Sequence, residues 1–380
     1  MAKALVLHSA DPQNVKSSYT AGDNVDFLMS MPGRSLEFGS VRLEGVIEVK
    51  INNNAMPTTA NFIDCVFLDQ FVGAHGFINS IQTQIAGSQV ENIQNYPRWV
   101  KMKTTATESQ TSMMNSQNTC ELKQPNVDLT RQVLAGEQLQ SPVTGAANAS
   151  PNKLLPDFSL KPDCVLNAAS GLMPYRKSGD IRLTFNLEEL AQACWGKDWS
   201  ATDCTYALTE LRLTWRSVPD QGPQFDQAIA MRRLVSVKQT FDSSSAHLSM
   251  RVPAVCQALH ASFFRTADEG NSVLNTLELQ QIPGLNNVQF TYNDSTNALI
   301  SYRLTDNVQW IGRYLESFRD PRNGTNAATL TNIYSNDVSG LGLDFGGPID
   351  LSSNKLSIQI DSGIAESYTC YMYFSSFFIM

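Results

Sequence analysis

The chain is short of charge. Of its 380 residues, 17% are Asp, Glu, Lys or Arg, against about a quarter in ordinary globular proteins. Asn, Gln, Ser and Thr must therefore carry much of the solvation. Such a surface can meet copies of itself without strong like-charge repulsion. An ordinary secreted β-protein shares the profile, so composition does not separate the two. Clustered positive charge is missing as well. The 36 acidic residues outnumber 28 basic ones, for a net charge of −8, and the first 40 residues hold only Lys3, Lys16 and Arg34. Binding nucleic acid by counterion release wants dense Lys and Arg. The nearest cluster, YPRWVKMK at Tyr96–Lys103, reads as a solvated helix face, with a nucleic-acid patch as the lesser reading. Sequence-specific nucleic-acid binding is not expected.

Catalytic and metal signatures are scarce too. The four histidines, His8, His75, His247 and His260, form no HxxxH pair. His247 and His260 flank one strand-to-strand connection, and partly buried structural histidines are the better reading of them than a zinc pair. There is no nucleophile elbow and no Walker loop. The run SGLGLDFGGPIDL carries glycines 340, 342, 346 and 347, but no helix pattern follows it, so a phosphate cradle would lack its helix N-terminus. A tight corner ahead of two strands is the reading adopted. Glu188 and Glu189 stand at a helix start, where the dipole favours acids. No catalytic residue, metal ligand or cofactor site is assigned, and the protein is not expected to be an enzyme.

Seven cysteines stand at 65, 120, 164, 194, 204, 256 and 370, with no CxxC. Scattered single thiols read as small core residues in a reducing compartment. The N-terminal MAKALVLHSA lacks the apolar stretch of a signal peptide. Synthesis in the cytosol or nucleus is expected, and the sequons at Asn148, Asn293 and Asn323 read as chance matches. Long apolar runs are absent but for YTCYMYFSSFFIM at Tyr368–Met380, too short for a spanning helix of about 20 residues. It reads as a strand with Tyr371 and Tyr373 on one face and Met372 and Phe374 on the other. Both faces ask for burial, so it should lie in the middle of a sheet packed on both sides.

What the chain does have is alternation with a period of two. Val41, Leu43, Ile47, Val49 and Ile51 share one face, against Arg42, Glu44, Glu48 and Lys50, with Val46 the exception. Ile181/Leu183/Phe185/Leu187, Leu211/Leu213/Trp215, Ala246/Leu248/Met250/Val252, Val288/Phe290/Tyr292 and Leu356/Ile358/Ile360 repeat the pattern. These are half-buried antiparallel strands. Helix signals are few. NLEELAQACWG could be capped by Asn186 and Glu189 and ended by Gly196, Pro97 suits a first helical turn, and a turn or two could follow Pro223. Strands without alternating long helices give an all-β sandwich or barrel.

SVPDQGPQ, Ser217–Gln224, is the expected joint. It divides the chain into residues 1–220 and 221–380, each long enough for an eight-stranded sandwich. Both parts close alike, with an alternating strand, an excursion and a final apolar strand. The polar segments Thr104–Gln132 and Ser141–Lys153 read as long loops, so the first part should be the larger and more decorated.

This organisation resembles the double jelly-roll major capsid proteins of the hexon-like lineage, nearest to the virophage and Polinton-like virus type. The likeness rests on GRSLEFGSVRLEGVIEVKI, FVGAHGFINSIQTQIAGSQVENIQNYPRWVKM, YALTELRLTWRSVP and LGLDFGGPIDLSSNKLSIQIDSG. The resemblance implies two successive eight-stranded jelly rolls with a few short helices. It also implies a homotrimeric, pseudo-hexagonal capsomer tiling an icosahedral virion shell, with neighbouring capsomers, penton and minor or cement proteins as partners. It carries over no functional residue. Two other readings stay open: a single jelly-roll or penton-type capsid protein, and a carbohydrate-binding or hydrolytic β-sandwich with Trp195 and Trp199, at a helix end and loop, as a sugar platform, although core packing is the better reading of them. For the cysteines the expected outcome is seven alkylated thiols by mass spectrometry of unreduced protein; a deficit of two hydrogens per bridge contradicts it.

Overall fold

The structure is a computed structural model and describes residues 4–51, 66–108, 116–123, 157–196, 204–223, 228–271, 274–280, 282, 284–293, 300–303, 307–318, 340–364 and 366–380. Its strands fall into two sets. The first is β1 (Val6–Ala10), β2 (Asn24–Met29), β3 (Arg42–Ile51), β4 (Ile78–Ile85), β5 (Ser88–Ile93), β6 (Asp157–Leu160), β7 (Ile181–Leu187) and β8 (Cys204–Pro219). The second is β9 (Ala230–Phe241), β10 (Ser245–Met250), β11 (Val255–Arg265), β12 (Asn287–Tyr292), β13 (Ile300–Arg303), β14 (Leu341–Asp350), β15 (Leu356–Asp361) and β16 (Tyr368–Ile379). The two longest helices among the described residues, α1 (Tyr96–Thr107) and α2 (Asn307–Ser317), pack against these strands.

Both sets have the same connectivity. In the second, one sheet runs β9-β16-β11-β14 and the other β10-β15-β12-β13. In the first, β1-β8-β3-β6 form one layer and β2-β7-β4-β5 the other, with the short strands Arg34–Glu37 and Leu172–Pro174 added to the first layer. In each set the last strand therefore pairs with the first and the third, and the second with the seventh. This is the jelly-roll order, and it occurs twice. The two rolls are joined edge to edge. A parallel bridge between Val235 of β9 and Asn92 of β5 fuses a layer from each into one eight-stranded sheet, β14-β11-β16-β9-β5-β4-β7-β2.

The alternation read from the sequence sets the faces. Val41, Leu43 and Ile47 are buried while Arg42, Glu44, Val46 and Glu48 are half-exposed. Ile181, Leu183, Phe185 and Leu187, and likewise Leu356, Ile358 and Ile360, point into cores. β16 does what its two greasy faces require. It lies between β9 and β11. Cys370, Met372 and Phe374 enter the core of the second roll, while Tyr371 and Tyr373 join the first core, on the opposite face of the sheet.

Several local expectations change. Asn186 does not cap a helix: it continues β7, paired with Asn24 and Ser80, and only Leu190–Ala193 is helical. Ladder bonds on both sides of β7 outweigh a capping box on so short a helix. Ser217–Pro219, assigned to the joint, finish β8, paired with Arg34–Leu36. Ala230–Arg233 belong to β9, not to a helix after Pro223. The glycine run is strand at both ends with the corner inside it. Cys256 pairs with Ile349 and Ala258 with Asp344, so Phe345–Pro348 leave the ladder, turning at Gly346, whose φ of +70° suits glycine. Gly342 has another role: a Cβ there would lie 2.6 Å from Tyr314 Cα, so its absence lets α2 sit directly on β14.

Cys120, Cys164, Cys194, Cys256 and Cys370 are free thiols, and only Cys120 of these is exposed. Cys65, Asn148, Asn323, Trp199 and the loop Ser141–Lys153 lie outside the described residues. So does much of Thr104–Gln132, although Ser116–Cys120 within it is helical. No helix among the described residues is long and apolar enough to cross a membrane.

Each large side chain of β16 contributes about 1.5–3 kcal/mol by burial, and a domain has only about 5–15 kcal/mol of net stability. Deleting residues 371–380 should therefore leave the protein insoluble, with β9 and β11 exposed as unpaired edges. A truncated chain that stays soluble with an unchanged melting temperature in calorimetry would contradict the two-core role of β16.

Candidate functional site: the buried polar seam between the rolls

The residues weighed for chemistry do not converge. His247 is exposed on β10 opposite Gln359, while His260 is fully buried on β11 between the hydroxyls of Ser317 (2.9 Å) and Ser375 (3.1 Å). Burial, aided by Arg232, holds the His260 imidazole well below its ordinary pKa, which leaves it a neutral hydrogen-bonding link. Trp215 is buried and stacks on His8 with ring centroids 5.4 Å apart. Trp195 lies in a two-residue strand against Val66–Phe67. Trp215 is thus closed off, and Trp199, the other half of the expected platform, lies outside the described residues. Among the described residues no group of three or more His, Cys, Asp or Glu could hold a metal ion.

The chemistry-bearing residues gather instead around α1, between the first core and the fused sheet. The charge pattern of Tyr96–Lys103 predicts a solvent-facing helix. The segment is helical, but Tyr96, Arg98, Trp99, Val100, Lys101 and Met102 are all buried. Arg98 places its guanidinium carbon 4.2 Å from the ring centre of Tyr371 and 4.6 Å from that of Phe264, and donates to Thr276 O at 2.5 Å. A cation between two aromatic faces, cut off from water, is held by the ring quadrupoles. Lys101 donates to Asp69 Oδ2 at 2.7 Å, and both side chains are 1% exposed. Trp99 reaches across to His260 and Tyr373, at 5.3 and 5.5 Å between ring centroids. Tyr373 donates to Asn95 O at 2.7 Å.

Next to this lies a second group. His75 Nδ1 is 2.8 Å from the Tyr96 hydroxyl, and its Nε2 is 3.2 Å from Glu121 Oε2. Glu121 also pairs with Lys123 at 2.9 Å. A cavity of about 160 Å³ opens here, lined among others by His75, Lys103, Glu121, Lys123, Lys161 and Asp163. Its cations and carboxylates balance, so it favours no single ligand charge.

Two carboxyls at the seam are unusual. Glu91 is buried, and its two oxygens accept backbone N–H bonds from Val165 of the first roll (2.7 Å) and Leu234 of the second (2.9 Å). Burial pushes its pKa up to about 8, against the pull of those two bonds. Burial likewise pushes Glu188 up to about 7. Neither stands out in the sequence. Glu91 sits in the unremarkable strand SQVENI, and only its inward position in β5 marks it. Arg98 and Lys101 do carry a signal, since they alternate with Trp99 and Val100 so that no face of the helix is wholly polar, but their charge outweighs it in a local reading of that segment. Together these groups position and clamp.

Comparisons with known proteins bear on the fold. No family model matches the chain, and no curated protein matches it by sequence. Solved structures do. The chain is similar to the PBCV-1 virus capsid (TM-score 0.58, 9% identity, 100% of this chain and 95% of that one). It is similar to the Faustovirus major capsid protein (0.55, 7%, 100% and 90%) and to the mavirus major capsid protein (0.52, 11%, 98% and 90%). The double jelly-roll fold of these capsid proteins is thus shared along the whole chain, at identities that speak for fold alone.

The raised acids set a pH dependence. A carboxyl whose folded pKa lies above its unfolded value stabilises the fold fully below the unfolded pKa, and the stability is lost as pH rises through the folded one. For Glu91 that window runs from 4.5 to about 8. Thermal stability should fall across it, and Glu91→Gln should lower stability overall while flattening the slope. A melting temperature that instead rises between pH 5 and 8, with the same slope in the variant, would refute this assignment.

Proposed function

We propose that this chain is a viral major capsid protein: a structural subunit that forms a homotrimeric, pseudo-hexagonal capsomer of an icosahedral shell. The observation that carries the reading is the repeated jelly-roll connectivity along the whole chain, with the two rolls welded side by side through one sheet. A shell tile needs rigid blocks at a fixed spacing, and the bridge at Val235 and Asn92, the Glu91 clasp and α1 together supply a stiff joint. Three such pairs closed by a threefold axis present six rolls, a near-hexagonal outline. We assign the first roll to residues 1–220 and the second to 221–380.

The surface supports self-association. Leu5, Leu7, Val15, Val255, Phe377 and Ile379 are large apolar side chains left exposed, apolar surface that a neighbouring copy could bury. Low charge density removes repulsion between copies. Neighbouring capsomers, penton and minor or cement proteins are the expected partners, the virion shell the expected location, and the host cytoplasm or nucleus the site of synthesis. A single-roll capsid protein would not need the second complete strand set. A carbohydrate-active sandwich would need an aromatic cleft, which the buried Trp215 does not provide.

The test is solution mass. Light scattering after size exclusion should give three times the 41.9 kDa chain, about 126 kDa, and electron micrographs should show three-fold tiles. A stable monomer or dimer across the micromolar range would overturn the reading.

A further inference from the structure

Lys101, Asp69 and Asn275 meet at the seam in an arrangement richer than an ion pair. Lys101 Nζ and Asn275 Nδ2 both lie on the same oxygen, Asp69 Oδ2, at 2.7 and 2.8 Å. The amine comes from α1 in the first roll and the carboxamide from the segment between β11 and β12 in the second. The other carboxylate oxygen, Oδ1, accepts the Phe71 N–H at 2.9 Å, which fixes its orientation. The carbonyl oxygen of Asn275 accepts the Leu277 N–H at 3.1 Å. The Phe71 ring stands 4.5 Å from Lys101 Nζ and walls that side off from water.

We propose that these residues build a covalent isopeptide bond between Lys101 Nζ and Asn275 Cγ. The amine and the carboxamide that amide exchange joins are gathered on one proton acceptor, Asp69 Oδ2. The nucleophile must be a neutral amine, so Lys101 must pass a proton to a neighbouring base, and a carboxylate oxygen lies 2.7 Å from Nζ. Asp69 Oδ2 is the acceptor. The electrophile must be polarised, and the Leu277 N–H points at the oxygen on which negative charge develops. The leaving group must be protonated, and Asp69 already touches Asn275 Nδ2.

The step balances without a further reagent. Lys101 gives one proton to Asp69, and the Nζ lone pair forms the new N–C bond at Asn275 Cγ. Asp69 returns its proton to Nδ2, the Cγ–Nδ2 bond breaks, and ammonia departs. Nζ sheds its second proton as the amide forms, and the expelled ammonia takes it up as ammonium. Nothing is oxidised or reduced, and Asp69 ends as the carboxylate it began as. The bond would tie the rolls together by a route other than the sheet, closing a long loop whose cross-linking restricts the unfolded chain. The inference does not rest on the capsid reading, and its test has a separate readout.

The experiment is mass spectrometry of the full chain, denatured and reduced. The bond removes one ammonia, about 17 Da, and digestion should release one branched peptide holding both Lys101 and Asn275. Lys101→Met, Asp69→Ala and Asn275→Ala should each show the full mass of their sequence and no branched peptide. Folded wild-type protein with its full sequence mass and two separate peptides overturns the proposal, whether or not the variants fold. So does an ammonia loss without the branched peptide, as from an asparagine cyclising on its own backbone.

Discussion

The structure hangs on one sheet being used from both sides. β16 is hydrogen-bonded to β9 and β11 along its length and sends alternate side chains into two different cores. A sheet face that a lone jelly roll would leave to solvent is here the floor of a second hydrophobic compartment. That explains why α1 is so thoroughly buried. It is the filler between this face and the first roll, and its cations must be satisfied where they lie, by aromatic rings, by Asp69 and by backbone carbonyls.

This arrangement also explains where polar groups are placed. A purely apolar seam would let the rolls slide, because dispersion contacts have little directionality. Glu91 accepts one backbone N–H from each roll, Tyr373 donates to Asn95 O, and Arg98 reaches Thr276 O. The bonds at Leu234, Asn95 and Thr276 each cross from one roll to the other, so register is specified by direction as well as by bulk. The carboxyls bear the cost of that placement in raised pKa values, a cost usually met where geometry matters more than raw stability.

Much of this is legible in the sequence, for a physical reason. Period-two alternation is written by burial on one face, so the strands over Arg42–Ile51, Ile181–Leu187 and Leu356–Asp361 announce themselves. β16 announces a two-sided environment because Tyr371/Tyr373 and Met372/Phe374 are apolar on both faces. The opposite error comes at Tyr96–Lys103. Charge is normally read as exposure, and nothing local says that Arg98 will lie between Phe264 and Tyr371, more than 160 residues away. The capping signal at Asn186 misleads for the same reason, since a neighbouring strand at Asn24 competes for that backbone and is invisible to a local pattern. The seam at Glu91 depends on long-range pairing throughout.

The double use of β16 has a consequence for biosynthesis. A ribosome delivers the chain from the N-terminus, and the first roll's own strands are complete by Pro219. Yet the first core still lacks Tyr371 and Tyr373, which emerge some 150 residues later in the sequence. At synthesis rates of about 5–20 residues per second, the first roll waits roughly 8–30 seconds with an open floor. Contacts of such long sequence separation make folding slow. A nascent chain of this kind would gain from a chaperone that shelters the first roll until β16 arrives, and chains interrupted before that point never acquire either finished core.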